Sequence, residues 1–332
     1  MKNTTKRRSK SISKAIMSML LILGFVPIVI MAINSYIINI DTLRERNDLA
    51  KQSAVATIQK ARTDLNKTTN DKLTEVSRQP IFENDFDFKQ IRRDLQLTIS
   101  GDDSYTNVIF INQNGKFTSA KGIKDTADLR TKDWYKGAIQ KEGQIYWATP
   151  HYLEATGKWM TTASTVVRNK KGDSGVICFD ISYDGIINEF ADMKVGRTGS
   201  LTLVSNTGNV INSTGNENAG TVYKIGKNIS QSPEFKAIAN SKKRKGTLHI
   251  KGESKTQDIY FDKGNNSSVT WTFAKVSKKD LTTEQTALFR NTVFIFIVIG
   301  ILIVIVTIAS IRWITDGVDI FKNRIQEAAS GN

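Results

Sequence analysis

Residues 110–117 read FINQNGKF, and a degenerate copy of this segment, LVSNTGNV, occupies residues 203–210, which lie 93 positions further along the chain. Each copy is an apolar run, a polar turn with glycine and a second apolar run, a pattern that predicts two β-strands joined by a turn. Other strand-like runs lie at residues 105–112, 145–150, 159–168 and 174–182, and at residues 246–251, 258–262 and 269–276. The economical interpretation is an α+β fold with two tandem modules built on antiparallel sheets, and two unrelated hairpins are the alternative.

Two apolar stretches, residues 15–38 and 292–311, bracket these modules. Each is long enough to cross the roughly 30 Å hydrocarbon core of a bilayer as a helix. Residues 1–14 carry six basic side chains and no acidic one, and Arg312 follows the second stretch. Because short basic flanks stay in the cytoplasm, we expect a cytoplasmic tail at 1–14 and an extracellular domain at 39–288. The first stretch is interpreted as an uncleaved anchor, since its apolar run is too long for a typical signal peptide.

A long helix is predicted over residues 39–79, because residues 41–78 contain neither glycine nor proline and Pro80 follows them. Its apolar residues recur at roughly heptad spacing, which has two interpretations that can hold together. The stripe can pack against the protein's own domain, and it can also dimerise with a second copy. We predict a homodimer. The stripe consists of Leu43, Ala50, Val55, Ile58, Ala61, Leu65, Leu73 and Val76.

Composition excludes several classes of function. The formal net charge is +15, but an external location argues against a nucleic-acid partner and favours a basic surface suited to an anionic cell envelope. Cys178 is the only cysteine, so no intrachain disulfide can form, and the two histidines, His151 and His249, are far apart. We therefore expect no metal and no cofactor. No catalytic motif is visible, so the chain is not expected to be an enzyme.

Three segments together resemble the double Cache family of extracellular sensors: RTKDWY at residues 130–135, IYWATPHY at 145–152 and GVICFDIS at 175–182. The resemblance covers about residues 40–288. It implies a long N-terminal helix followed by two PAS-like modules. The module far from the membrane, the distal module, would span about residues 80–190, and the proximal module about 191–288.

The C-terminal residues 312–332 resemble the first helix of a HAMP linker, which ends here in Ser-Gly-Asn. Apolar Ile314, Val318, Phe321, Ile325 and Ala328 are spaced by 4, 3, 4 and 3 residues, which is typical of a helix-bundle seam. An amphipathic helix lying on the membrane is the alternative. The rest of the linker and any output domain are missing from this chain.

One branch of the double Cache family binds free amino acids, and its motif implies a ligand site in the distal module. In that motif an arginine and a tyrosine hold the α-carboxylate, while a later tyrosine and aspartate hold the ammonium. Carried over residue by residue, Trp134 and Tyr135 match the Trp-Tyr pair, Tyr152 matches the later tyrosine, and Asp180 matches the aspartate. Each has a structural alternative, either as a core aromatic or as an ordinary sheet residue.

Two positions depart from that motif. Lys132 stands where the family has arginine, and Ala127 stands where it has the first tyrosine. A lysine holds a carboxylate as a point charge without the bidentate fork of arginine. Arg130 could substitute if the loop is shifted, and Lys132 could also be a plain surface lysine. The expected ligand is therefore an amino acid or a related carboxylate or amine.

These features indicate the input unit of a transmembrane receptor, most simply a methyl-accepting chemotaxis protein. The ectodomain and linker fit the sensor part of a histidine kinase or a diguanylate cyclase equally well. A truncated receptor that acts only as a binding protein is a third possibility. The reading frame beyond residue 332 would discriminate among them.

Overall fold

The computed structural model describes residues 2–122, 127–154, 156–191, 193–196, 199–215, 222–251, 256–265, 269–276 and 278–329. Two compact units share the chain. One consists of Arg46–Asp280, and the other of Met1–Glu45 together with Leu281–Asn332. The larger unit contains both sheets, and each unit is described by itself below.

The smaller unit is built from parts of two long helices, α1 (Lys2–Ser77) and α6 (Lys278–Ala329). Both helices contain a segment that is long and apolar enough to cross a membrane, as the sequence predicts. Within this unit Gly24 lies against Ile303, and the rings of Phe25 and Phe296 meet edge to face at 6.4 Å. Residues 312–329 continue α6 without a break, whereas the predicted Ser-Gly-Asn ending, residues 330–332, lies outside the described residues.

The larger unit contains two antiparallel sheets that follow one another along the chain. The first has the strand order β2-β1-β6-β5-β3, with β4 also paired to β5, and the second has the order β8-β7-β11-β10-β9. The first is built from β1 (Tyr105–Asn112), β2 (Phe117–Ser119), β3 (Tyr146–Trp147), β4 (His151–Leu153), β5 (Lys158–Arg168) and β6 (Ser174–Ser182). The second is built from β7 (Ser200–Ser205), β8 (Val210–Gly215), β9 (Lys245–Lys251), β10 (Thr256–Asp262) and β11 (Thr270–Lys275).

The two sheets have the same connectivity, since in each the first strand lies between the second strand and the last and pairs with both. The repeated segments found in the sequence form equivalent turns. Gly115 and Gly208 both adopt positive φ, at +85° and +95°, a conformation that favours glycine. Their amides donate to the carbonyls of Asn112 and Ser205, at 3.0 and 2.9 Å. The prediction of two tandem modules is therefore confirmed, and unrelated hairpins are excluded.

Helices cover both faces of each sheet. In the distal module α2 (Phe88–Thr98) and α1 pack on one face, while a 3₁₀-helix (Leu129–Thr131) and α3 (Asp133–Gln140) pack on the other. In the proximal module α4 (Asp184–Ala191) and α1 pack on one face, and α5 (Pro233–Asn240) packs on the other. A second 3₁₀-helix, Pro80–Phe82, follows α1.

The apolar stripe of α1 enters both cores. Val55 and Ile58 are buried in the cluster of the proximal module, and Leu73 and Val76 are buried in that of the distal module. Leu65 lies between these pairs and packs against both clusters. These four side chains are therefore covered by the protein's own sheets, and the interpretation that the stripe also dimerises stays a prediction, as does the homodimer itself.

Candidate functional site

A cavity of about 910 Å³ lies on the face of the first sheet that α3 covers. Apolar side chains of β1, β6 and α3, among them Ile109, Val176 and Cys178, fill part of that face as a small core. The cavity occupies the remainder, towards the C-terminal end of β6. It is lined by residues that include Thr106, Asn107, Lys121, Lys132, Asp133, Trp134, His151, Leu153, Met160, Thr162 and Asp180.

Of the residues that the structure describes, Asp180 is one of two carboxylates that line this cavity, and Asp133 is the other. Thr162, its neighbour on β5, donates from Oγ1 to Asp180 Oδ1 at 2.8 Å, and Thr106 Oγ1 donates to the Asp180 carbonyl at 3.1 Å. Burial raises the pKa of Asp180 above its ordinary value, although the Thr162 hydrogen bond and nearby His151 oppose this shift. Among the described residues none donates to Oδ2, so the carboxylate keeps capacity to bind a cationic ligand.

Trp134 is fixed by the packing of α3. The helix lies so close to β3 that a side chain on Gly137 would meet the Tyr146 ring at 2.3 Å. Tyr146 donates its hydroxyl to Asp133 Oδ2 at 2.8 Å, and burial together with this carboxylate raises the pKa of Tyr146 to about 12. Ser164 on β5 donates to the Trp134 carbonyl at 2.7 Å. The indole is therefore held at the wall of the cavity by a preorganised helix start.

Lys132 also lines the cavity, at the junction between the 3₁₀-helix and α3. Its neighbour Arg130 has a different position. Arg130 makes a bidentate ion pair with Asp128, with Nη2–Oδ2 at 2.7 Å, and its Nη1 donates to the Gln113 carbonyl at 3.0 Å. These hydrogen bonds lower the pKa of Asp128 to about 2. Arg130 therefore fastens its own loop to the β1–β2 turn and does not line the cavity.

Successive residues of the short strand β4 face opposite sides of the sheet. His151 and Leu153 line the cavity, whereas Tyr152 does not, because successive side chains of a strand point to opposite faces. Tyr152 is 50% exposed, and its ring meets Trp159 edge to face at 5.9 Å. Tyr135 is half-buried beside Trp134 at a ring distance of 6.1 Å and likewise does not line the cavity.

Of the six predicted site residues, Lys132, Trp134 and Asp180 are brought together around one cavity, and Arg130, Tyr135 and Tyr152 are not. The sequence interpretation missed Thr106, Thr162 and His151. The sequence could have identified Thr162, because the hairpin turn after β5 fixes which residue lies opposite Asp180. Within the described ranges, no group of three or more histidine, cysteine, aspartate or glutamate side chains could hold a metal ion.

The arrangement suits recognition of a small polar molecule. A carboxylate with a free oxygen can bind an ammonium group, an indole offers an apolar and cation-binding face, and a lysine can attract an anionic group. The volume is within the range of ordinary small-molecule sites.

Comparison with known sequences gives relatives among bacterial chemoreceptors. The chain is 26% identical over 225 residues to the methyl-accepting chemotaxis protein TlpA of Bacillus subtilis, an alignment that covers 67% of this chain and 33% of TlpA. It is 33% identical over 88 residues to TlpB of the same organism, which covers 26% of this chain and 12% of TlpB. The chain therefore spans a third or less of the length of these relatives.

Solved structures share the fold. The ligand-binding domain of the Campylobacter jejuni chemoreceptor Tlp3, in complex with 4-methylisoleucine, matches 73% of this chain and 92% of that domain, with a TM-score of 0.54 and 17% identity. The ligand-binding domain of the Pseudomonas aeruginosa amino acid chemoreceptor PctC, in complex with GABA, matches 72% and 99%, with a TM-score of 0.52 and 18% identity.

The family comparison covers most of the chain. The profile of the Cache domain family dCache_1 matches residues 29–293, which include both sheets and α1 from residue 29 onward. The predicted resemblance to double Cache sensors is thereby confirmed. This protein belongs to the dCache_1 family of Cache domains.

Proposed function

We propose that this chain is the input unit of a transmembrane chemoreceptor and that the distal cavity binds a small polar ligand outside the cell. The observation that carries the proposal is the cavity under α3, which Asp180, Trp134 and Lys132 all line. A ligand with an ammonium group and a carboxylate, such as an amino acid, complements this set. An amine or a carboxylate alone would use part of it.

The ammonium group is assigned to Asp180. Its carboxylate is held by Thr162, and a charged ligand group would offset the cost of burying it. The ligand's ammonium group would also contact the ring of Trp134. Lys132, at the start of α3, would attract the ligand's carboxylate. Arg130, Tyr135 and Tyr152 stay predictions as ligand residues, and any of them would have to move to reach the cavity.

Signalling is assigned to the two apolar end helices and the residues that follow the second of them. In a membrane they would carry a change in the distal module to the cytoplasm, where residues 312–332 act as the start of a HAMP linker. Their apolar side chains Ile314, Val318, Phe321 and Ile325 are exposed in one chain, which suits a seam formed with a second copy. The homology to methyl-accepting chemotaxis proteins favours chemotaxis over a kinase or cyclase output.

A binding screen tests this function. The 332-residue chain in lipid nanodiscs is incubated with single amino acids, amines and small carboxylates, and its unfolding temperature is measured. A ligand at 100 times its dissociation constant adds about 2.7 kcal/mol of stability. We expect Trp134→Ala and Lys132→Ala to reduce the shift and Lys132→Arg to retain it. A full shift in both Trp134→Ala and Lys132→Ala would contradict the assignment of this cavity.

A further inference from the structure

The two modules can be superposed by their strand pairing, which identifies equivalent positions. Asn107 on β1 pairs with Asp180 on β6, and Ser200 on β7 pairs with Lys275 on β11. Asn107 and Ser200 are separated by the same 93 residues as the repeated turns. Lys275 therefore occupies in the proximal sheet the position that Asp180 occupies in the distal sheet.

The covering helices are equivalent as well. Both α3 and α5 have eight residues, and Trp134 and Glu234 are the second residue of each. The buried side of α3 includes Trp134 and Ala138, and that of α5 includes Glu234 and Ile238, at the same spacing. Glu234 thus stands where the distal module presents its indole to the cavity.

In the proximal module these two positions are joined to each other. Lys275 Nζ lies 2.9 Å from Glu234 Oε1, and the two residues are only 5% and 9% exposed. The same Nζ lies 4.4 Å from the centre of the Tyr223 ring. A carboxylate and an aromatic face around one ammonium are the groups that recognise a primary amine.

We propose that the proximal module is an amine-binding site that the chain fills with its own lysine. The ammonium of Lys275 is an internal ligand, the carboxylate of Glu234 and the ring of Tyr223 are its receptor, and the contact holds α5 on the sheet. Because Lys275 occupies this site, it is closed to outside ligands. This inference rests on the strand pairing and contacts of the proximal module, and it does not need the distal ligand to be an amino acid.

Chemical rescue tests the proposal. In the full chain in nanodiscs, Lys275→Ala removes the internal ammonium and leaves a space shaped for an n-propylammonium ion. Hydrogen exchange of the backbone amides of α5 should accelerate by about tenfold or more, because removing one member of a buried charge pair is strongly destabilising. Added n-propylammonium should restore the protection in a saturable way. Equal concentrations of n-propanol or sodium chloride should not.

Two matched variants complete the test. Lys275→Met keeps most of the side-chain volume, so it should lose protection without being rescued by the amine. Glu234→Gln combined with Lys275→Ala removes the receptor carboxylate and should abolish rescue. The proposal is overturned if n-propanol rescues as well as the amine, if Lys275→Met is rescued, or if α5 exchange does not change in Lys275→Ala. Should Lys275→Ala fail to fold, recovery of folded protein with n-propylammonium but not n-propanol supports the proposal, and no recovery overturns it.

Discussion

Replacing Asp180 with asparagine separates ligand binding from stability in the distal module. The substitution keeps the size of the side chain and the oxygen that accepts from Thr162, and it replaces the other, charged oxygen by a neutral amide NH2 group. Because burial raises the pKa of Asp180, the ionised form opposes folding in the absence of ligand. The unliganded variant should therefore unfold at the wild-type temperature or slightly above it.

The effect on binding should be large and opposite in sign. A hydrogen bond to a charged group contributes about 1.5–3 kcal/mol, so losing it weakens binding by roughly 10- to 150-fold. A ligand at 100 times the wild-type dissociation constant adds about 2.7 kcal/mol to the wild type. After a 100-fold loss of affinity the same concentration adds only about 0.4 kcal/mol. For a domain of this size the shift in unfolding temperature would fall from about 5–11 °C to about 1–2 °C.

The assay is thermal unfolding of the chain in nanodiscs, with and without the ligand that gives the largest wild-type shift. Asp85→Asn is the matched control, since it removes an exposed carboxylate, paired with Lys171, that does not line the cavity. The control should keep the full shift. If Asp180→Asn also keeps the full shift, the carboxylate does not contact the ligand. If the unliganded Asp180→Asn variant is strongly destabilised, the argument from burial fails.

Three further predictions concern topology, packing and pH. In intact cells, a membrane-impermeant thiol reagent should label Lys171→Cys and leave Asn3→Cys unlabelled, and the reverse pattern would contradict an extracellular domain. Gly137→Ala should lower the unfolding free energy by about 1–3 kcal/mol, because its new methyl group overlaps an aromatic ring, whereas Gly185→Ala, in open space, should cost nothing measurable. Burial alone raises the pKa of Glu234, but its buried ammonium partner holds the pKa below the ordinary value. The contribution of ionised Glu234 to stability is therefore fully present above the ordinary carboxyl pKa and is lost as the pH falls through the pKa of the folded protein. The difference in unfolding free energy between wild type and Glu234→Gln should therefore shrink in acid. A difference that is constant with pH would contradict this assignment.

The strands could be predicted from sequence because their ends coincide with turns. The predicted runs 105–112 and 174–182 match β1 and β6 residue for residue. The turn after β5 pairs Arg168 with Ser174. Counting the same number of residues away from the turn along each strand places Thr162 opposite Asp180. The turn residues therefore fix the register of β5 and β6 at the site, even though Thr162 was not among the predicted site residues.

The remaining site residues depend on contacts that local patterns do not contain. Arg130 looked available for a carboxylate, but Asp128, only two residues before it, already holds its guanidinium. The face of Tyr152 depends on how the three-residue strand β4 pairs with β5. The pair of Glu234 and Lys275 joins residues that are 41 positions apart, and its likeness to the distal site becomes visible only when the two modules are superposed.

The sharing of α1 by both cores sets a practical limit on how this domain can be divided. Val55 and Leu73 lie on the same helix but belong to different core clusters, and Leu65 packs against both clusters. A cut between the modules would leave one sheet without the part of its cover that α1 provides and expose apolar surface to water. Chimeric receptors that exchange ligand specificity should therefore take residues 46–280 as one cassette, because neither half carries a complete core.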